Sequence, residues 1–68
     1  MKFTMYQMIA YLNRIENKDR KFRRVNDIQF IVFRGNMGDL MYELDKFIKP
    51  LPIFNYMVDE WELIEEQE

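Results

Sequence analysis

Carboxylates are the main side chains of this chain that could do chemistry, because the other usual groups are missing. The 68 residues include no Cys, no His and no Ser, and Thr4 is the single threonine. Thiolate and histidine chemistry, Ser-His arrangements and the common zinc ligand sets are therefore excluded. What remains is an acid/base pair of carboxylates, or an oxygen-ligand site for magnesium or calcium.

Asp39, Glu43 and Asp45 are the candidates for such a carboxylate site. On a helix, Asp39 and Glu43 would lie one turn apart, which brings them together but encloses no pocket. The first turn of a helix also favours acidic residues, because they interact well with the helix dipole. We therefore expect no catalytic residues, no metal site and no cofactor, in a protein that is not an enzyme.

The chain is apolar for its length, with 49% hydrophobic and 16% aromatic residues. A domain of this size buries only roughly 60% of the surface that its unfolded chain exposes, so some apolar side chains should face a partner. We expect one domain over residues 1–68, with a flexible acidic tail at 65–68. No signal-like or membrane-spanning apolar run is present. With the absence of Cys, this predicts a cytoplasmic protein with no membrane contact.

Charge is distributed unevenly along the chain. Residues 1–34 carry eight basic and three acidic side chains, whereas residues 35–68 carry two basic and nine acidic ones. Such a division can steer a charged partner towards the protein. Alternatively, the two halves neutralise each other when the chain folds.

The first element is predicted to be a helix. Thr4 and Gln7 have the spacing of a capping box, in which each side chain bonds the backbone amide of the other residue. An apolar stripe at helical spacing follows, formed by Met5, Met8, Ile9, Leu12 and Ile15. We expect the helix to start at this cap and to run to about Asn17.

A β-hairpin is predicted next, over residues 20–34. Two β-favouring runs flank Asn26-Asp27, which would form a two-residue turn. That turn would pair Val25 with Ile28, Arg23 with Phe30, and Phe22 with Ile31. One side of the ribbon would then carry Val25, Ile28, Phe30 and Val32, and the other Phe22, Ile31 and Phe33 with Arg20 and Arg24.

Residues 37–48 have helical spacing, and Pro50 and Pro52 would end this second helix. Residues 53–64 fit either a helix or a strand, and we favour a strand over about Val58 to Ile64 because a third strand would widen the hairpin. The predicted fold class is α+β in the order α-β-β-α-β, with a three-stranded antiparallel sheet and both helices packed on one face.

The order of these features resembles a loose group of small uncharacterised proteins encoded by phages and prophages of low-GC Gram-positive bacteria. The resemblance rests on the Thr-x-x-Gln start at Thr4, the basic strand, the Asn26-Asp27 turn, the aromatic-rich strand and the acidic and apolar run at 59–66. It implies an accessory viral gene. That class is rich in proteins that bind and block host machinery, including anti-CRISPR and other anti-defence inhibitors.

The predicted partner-binding surface combines the open hairpin face with the acidic C-terminal segment. Aromatic side chains with arginine are typical of interface hot spots, and the acidic segment 59–68 could mimic nucleic-acid phosphates or be an ordinary solvated tail. The predicted residues are Arg20, Phe22, Arg24, Ile31, Phe33, Glu60, Trp61 and Glu62. We expect an inhibitor or adaptor that occludes a protein in the cytoplasm of a bacterial host. The alternative for this surface is that Phe22 and Phe33 belong to the core.

Two other functions remain open from the sequence. A small nucleic-acid-binding regulator would grip phosphates with the basic run Lys18, Arg20, Lys21, Arg23 and Arg24 while aromatic rings stack on bases. The net charge of −2 makes nucleic acid the less favoured partner. A self-associating structural protein would instead form a homodimer through the open sheet face.

Overall fold

The residues that the structure describes form a five-stranded antiparallel sheet with one α-helix. A computed structural model describes residues 2–65. Its elements are α1 (Met5–Leu12), a 3₁₀ helix (Ile15–Asn17), β1 (Lys21–Arg24), β2 (Asp27–Arg34), β3 (Leu40–Leu44), β4 (Phe47–Pro50), a second 3₁₀ helix (Ile53–Tyr56) and β5 (Trp61–Ile64). The strand order is β4-β3-β2-β1-β5. Within the described range, no helix has the length and apolarity needed to cross a membrane.

The predicted three-stranded sheet with two helices on one face is wrong. The segment expected to form the second helix is the β3–β4 hairpin, which gives the sheet two further strands. A strand near the C-terminus is confirmed, but β5 begins at Trp61 rather than at about Val58, and a short 3₁₀ helix occupies the start of the ambiguous segment. The acidic tail predicted at 65–68 lies outside the described residues, apart from residue 65.

The N-terminal helix starts where its cap predicts and ends earlier than expected. Thr4 Oγ1 accepts from the Gln7 amide at 3.2 Å, and Gln7 Oε1 accepts from the Thr4 amide at 2.9 Å. The helix stops at Leu12 because Arg14 adopts an extended backbone conformation, with ψ 134°. Ile15, predicted to continue the buried stripe, is 70% exposed.

The hairpin of β1 and β2 forms, but in a different register from the predicted one. Phe22 pairs with Val32 and Arg23 with Ile31, whereas Arg24 pairs with Asp27. Residues 28–30 therefore have no partner on β1, and the turn falls at Val25-Asn26 rather than at Asn26-Asp27. A one-residue change of register moves a side chain to the other face of the sheet. For this reason Phe22 lies opposite Val32 in the core instead of beside Ile31.

A tight turn at Asp45-Lys46 joins β3 to β4. Both residues have positive φ, 51° and 72°, as a type I′ hairpin turn requires. Glycine is usual at the second position of such a turn, so a lysine at position 46 gives no sequence signal for it. The apolar residues on either side fit helical spacing as well as they fit a hairpin, and this explains the wrong helix prediction.

Pro50 lies in the edge strand β4 rather than after a helix. Antiparallel neighbours alternate between bonded and non-bonded pairs, and the Leu51 amide donates to the Leu40 carbonyl at 3.0 Å. Position 50 therefore falls at a non-bonded pair, opposite Met41. Proline has no amide hydrogen to lose there, and it blunts the free edge of the sheet.

The core lies between α1, the second 3₁₀ helix and one face of the sheet. Its buried side chains are Met5, Met8, Leu12, Phe22, Phe30, Val32, Leu51 and Trp61. Phe3, Tyr11 and Phe22 meet edge to face, with ring centroids 4.9 to 5.6 Å apart. Around Phe30, Tyr42 stacks at 4.8 Å, and Tyr56 and Trp61 approach at a tilt. Aromatic contacts thus supply much of the packing of this small core.

Candidate binding surface

The sheet has a core face and an outer face, and the cross-strand pairs assign each residue to one of them. Residues that pair across strands share a face, and successive residues along a strand alternate between faces. The outer face carries the apolar residues Ile31, Phe33, Met41, Ile48, Pro50 and Ile64, with the charged residues Lys21, Arg23, Glu43 and Glu62. None of these apolar side chains packs against the core cluster.

An apolar groove crosses the outer face over β2, β3 and β4. It has a volume of about 600 Å³, and its apolar lining residues are Phe33, Met37, Met41, Ile48 and Pro50. Met37 is 91% exposed and Ile48 is 55% exposed. Methionine side chains adapt their shape to different partners, and exposed apolar groups in one place mark a binding surface.

Gly35 keeps one wall of this groove free of side-chain atoms. A Cβ at this position would lie 2.9 Å from Met41 Cγ and 3.3 Å from the Asp39 carbonyl oxygen. A side chain there would displace Met41 or the loop that joins β2 to β3. The glycine thus allows the loop to fold close to β3 beside the groove.

The predicted partner-binding residues divide between the two faces. Ile31 and Phe33 lie on the outer face, half-buried, as the prediction required. Phe22 is buried in the core, as the alternative for this surface expected of it, and Trp61, predicted to bind a partner, is buried there as well. The bulge in β2 and the pairing of β5 with β1 account for this division, and the sequence indicated neither.

Three acidic residues of the C-terminal segment, Asp59, Glu60 and Glu62, lie within ion-pair distance of a cation. Arg23 Nε donates to Glu62 Oε1 at 2.8 Å on the outer face, and Arg24 Nη2 donates to Asp59 Oδ1 at 3.2 Å on the core face. Glu60 is exposed, with Lys2 Nζ at 4.0 Å. The uneven charge of the two halves is therefore partly neutralised within the fold, between β1 and the segment that contains β5.

The Arg24 side chain lies against aromatic rings on the core side of the sheet. Its guanidinium lies 5.5 Å from the Tyr56 ring centroid and 5.9 Å from that of Phe30. Together with the bond to Asp59, these contacts hold Arg24 against the aromatic side chains of the core. Arg23, the preceding residue of β1, lies on the outer face of the sheet instead.

The basic run is also divided. Lys18, Arg20 and Lys21 line one cavity with Phe33 and Arg34. Lys21 Nζ lies 5.9 Å from the Phe33 ring centroid. Arg23 and Arg24, the other two cations of the run, are ion-paired. Arg34 takes their place in the cluster, because the end of β2 comes next to the segment before β1.

The carboxylates considered for chemistry are not arranged as the helix prediction assumed. Asp39 precedes β3, Glu43 lies on the outer face of that strand, and Asp45 is in the turn. Within residues 2–65, no group of three or more acidic side chains is close enough to hold a metal ion.

Comparison of the chain with protein-family models, curated proteins and solved structures finds no match. The resemblance to phage-encoded proteins therefore stays a prediction.

The sequence reading missed three residues of the groove, Met37, Met41 and Ile48. It assigned them to the buried side of a helix that does not form. Recognition of a type I′ turn at Asp45-Lys46 would have predicted a hairpin over residues 40–50. The apolar residues of that hairpin would then be expected on two faces, and not all on the buried side of a helix.

Proposed function

We propose that this chain is a non-catalytic binding module that recognises a protein partner through the apolar groove on the outer face of its sheet. The observation that carries the proposal is the groove itself. A space of about 600 Å³ lined by Phe33, Met37, Met41, Ile48 and Pro50 can take one or two large apolar side chains. Association would remove the exposed Met37 and Ile48 side chains from water, which is favourable.

The charges beside the groove favour a protein over nucleic acid. Arg34 and Asp39 line the groove. Lys21 lies opposite Phe33, and Glu43 lies opposite Ile48, so charges of both signs surround the groove. A mixed polar rim around an apolar centre is the usual composition of a protein interface. A surface that grips a phosphate backbone would instead be strongly positive throughout.

The resemblance to phage-encoded proteins adds a direction to this proposal. A protein of that class would act inside a bacterial host, as an inhibitor or adaptor that covers a surface of a host protein. The anti-defence role belongs to the same proposal. It rests on the resemblance alone.

The test is affinity capture from a bacterial lysate with wild-type protein and three variants. Ile48→Asp and Met37→Asp put a charge into the groove. Val58→Asp is the matched control, because Val58 is 92% exposed and lies outside the groove. We expect one stoichiometric protein to be retained by wild type and by the control, and to be lost with both groove variants.

Fluorescence of Trp61 checks that each variant is folded, because its side chain is fully buried and unfolding would shift its emission to the red. Retention of the same protein by both groove variants would contradict the proposal. Loss of every partner after nuclease treatment would favour the nucleic-acid alternative. A wild-type dimer in light scattering that the groove variants turn into a monomer would favour self-association.

A further inference from the structure

A basic pocket adjoins the apolar groove at the end of the sheet, and Arg34 joins the two. Arg34 lines the groove and also two smaller cavities of about 320 and 140 Å³. The cations around the smaller cavities are Lys18, Arg20, Lys21 and Arg34, which we call the basic pocket. Asp19 is the one carboxylate that lines them.

The cations of the basic pocket have no charged partner within residues 2–65. The ion pairs there involve Lys2, Arg23 and Arg24, and no side chain of the basic pocket donates a hydrogen bond. Four positive charges against one negative charge leave a local excess. That excess stands out in a chain whose net charge is −2.

Two guanidinium nitrogens in this pocket are buried without a hydrogen-bond partner. They are Nε of Arg20 and Nη1 of Arg34. Buried polar groups are nearly always bonded, so these two side chains have hydrogen-bonding capacity that the described residues do not satisfy. The other two such nitrogens belong to Arg24 and Trp61, which do not line these cavities.

The loop between β2 and β3 passes close to the Arg34 guanidinium. Gly38 has φ +87°, and a Cβ on it would lie 3.8 Å from Arg34 Nη2. This conformation, which favours glycine, brings the backbone of the loop next to the guanidinium.

We infer that the basic pocket binds a phosphate group. A phosphate monoester carries close to two negative charges and three acceptor oxygens, which suits two unpaired guanidinium donors and two ammonium groups. A carboxylate carries one charge and two oxygens, and would leave part of the positive charge unmatched. The inference does not depend on the proposed protein partner, since the basic pocket and the apolar groove are separate cavities that share the Arg34 side chain.

The site is tested by titrating inorganic phosphate into ¹⁵N-labelled protein and following the Nε–Hε signals of the arginine side chains. We expect saturable shifts at Arg20 and Arg34, and none at Arg14, which does not line the basic pocket. Sodium chloride at the same ionic strength should not reproduce them. Arg34→Gln should weaken binding by about tenfold or more, because it removes a charge-assisted contact.

Lys18→Gln and Lys49→Gln are the paired variants, since both remove one exposed positive charge and only Lys18 lines the pocket. Weaker phosphate binding in Lys18→Gln alone supports the site, even if Arg34→Gln fails to fold. Equal binding in wild type, Lys18→Gln and folded Arg34→Gln overturns it. Shifts that chloride reproduces, or acetate binding as tight as phosphate binding, overturn it as well.

The source of the phosphate is identified by a second titration, with a short single-stranded oligonucleotide that carries a 5′-terminal phosphate, which is a monoester. Binding tighter than that of inorganic phosphate, and lost in Arg34→Gln, would assign the phosphate to a nucleic acid. Binding no tighter than that of inorganic phosphate would assign the site to a small phosphorylated molecule. Ile48→Asp should leave phosphate binding unchanged, which keeps this result separate from the test of the groove.

Discussion

The two faces of the sheet are built from alternate residues of the same strands, and they differ in what covers them. On the core face, Phe22 and Val32 are fully buried and belong to one cluster with the buried side chains of α1. On the outer face, Ile31 and Phe33 are as apolar but lie outside the core cluster. β2 carries large apolar side chains on both faces, so hydrophobicity along the strand does not tell which face is inside.

This comparison shows that neighbouring aromatic residues can have unrelated roles. A buried aromatic side chain contributes to stability, whereas an exposed apolar side chain beside a groove is available to a partner. Four pairs of substitutions would break or sharpen the distinction, in order from the largest expected effect to the smallest.

Phe22→Ala and Phe33→Ala compare the two faces directly. Removal of the fully buried Phe22 ring should lower the free energy of unfolding by about 3 to 5 kcal/mol. Phe33 is half-buried, and its loss should lower it by about 1 kcal/mol. Urea denaturation followed by Trp61 emission measures both values. Similar losses in the two variants would contradict the assignment of faces.

Arg24→Met and Arg23→Met compare two ion pairs made by adjacent residues. The Arg24 and Asp59 side chains are 31% and 20% exposed, against 41% and 34% for Arg23 and Glu62. Loss of Arg24 leaves a half-buried carboxylate unpaired and removes contacts with two rings, for a loss of about 1 to 2 kcal/mol. Loss of Arg23 should lower stability by about 0.5 kcal/mol. The opposite ranking in urea denaturation would count against a structural role for Arg24.

Thr4→Ala tests the helix that covers the core face. It removes the side-chain acceptor of the capping box and should lower stability by about 1 kcal/mol. Tyr6→Ala is a suitable control, because the Tyr6 side chain is 71% exposed on the same helix. Thermal unfolding of both variants gives the comparison. A larger loss in Tyr6→Ala than in Thr4→Ala would show that the cap contributes little.

Lys46→Gly tests the hairpin that carries the groove residues of β3 and β4. Lys46 has φ 72°, a conformation that costs a residue with a Cβ about 1 kcal/mol. Glycine should therefore raise the free energy of unfolding by about 0.5 to 1 kcal/mol. Asp45→Gly should give a smaller gain, since Asp tolerates positive φ better. A loss of stability in Lys46→Gly would contradict the turn.

Local chemistry made some elements predictable. The capping box fixed the start of α1, because its two hydrogen bonds involve only residues three apart. The need for a third strand beside the hairpin indicated β5, and β-favouring residues indicated β1 and β2. The outer-face position of Ile31 and Phe33 was also predicted.

Other features had no local signal. The register of β1 and β2 depends on a bulge, and the burial of Trp61 depends on β5 pairing with β1 and on the bridge between Phe3 and Trp61. The groove needs three strands side by side, and the basic pocket needs Arg34 next to residues that precede β1. Contacts between residues so far apart in the sequence produce no local pattern of residue spacing, so the sequence does not predict them.

The sequence by itself determined which reactive side chains this protein lacks and the local structure around the N-cap of α1. Both depend on which side chains are present or on contacts within one turn of chain. Tertiary structure decided that Phe22 and Trp61 are core, that Met37, Met41 and Ile48 line a groove, and that Arg34 joins the basic pocket. The physical reason is that apolar residues occupy both faces of β2, so only packing against α1 selects the buried face.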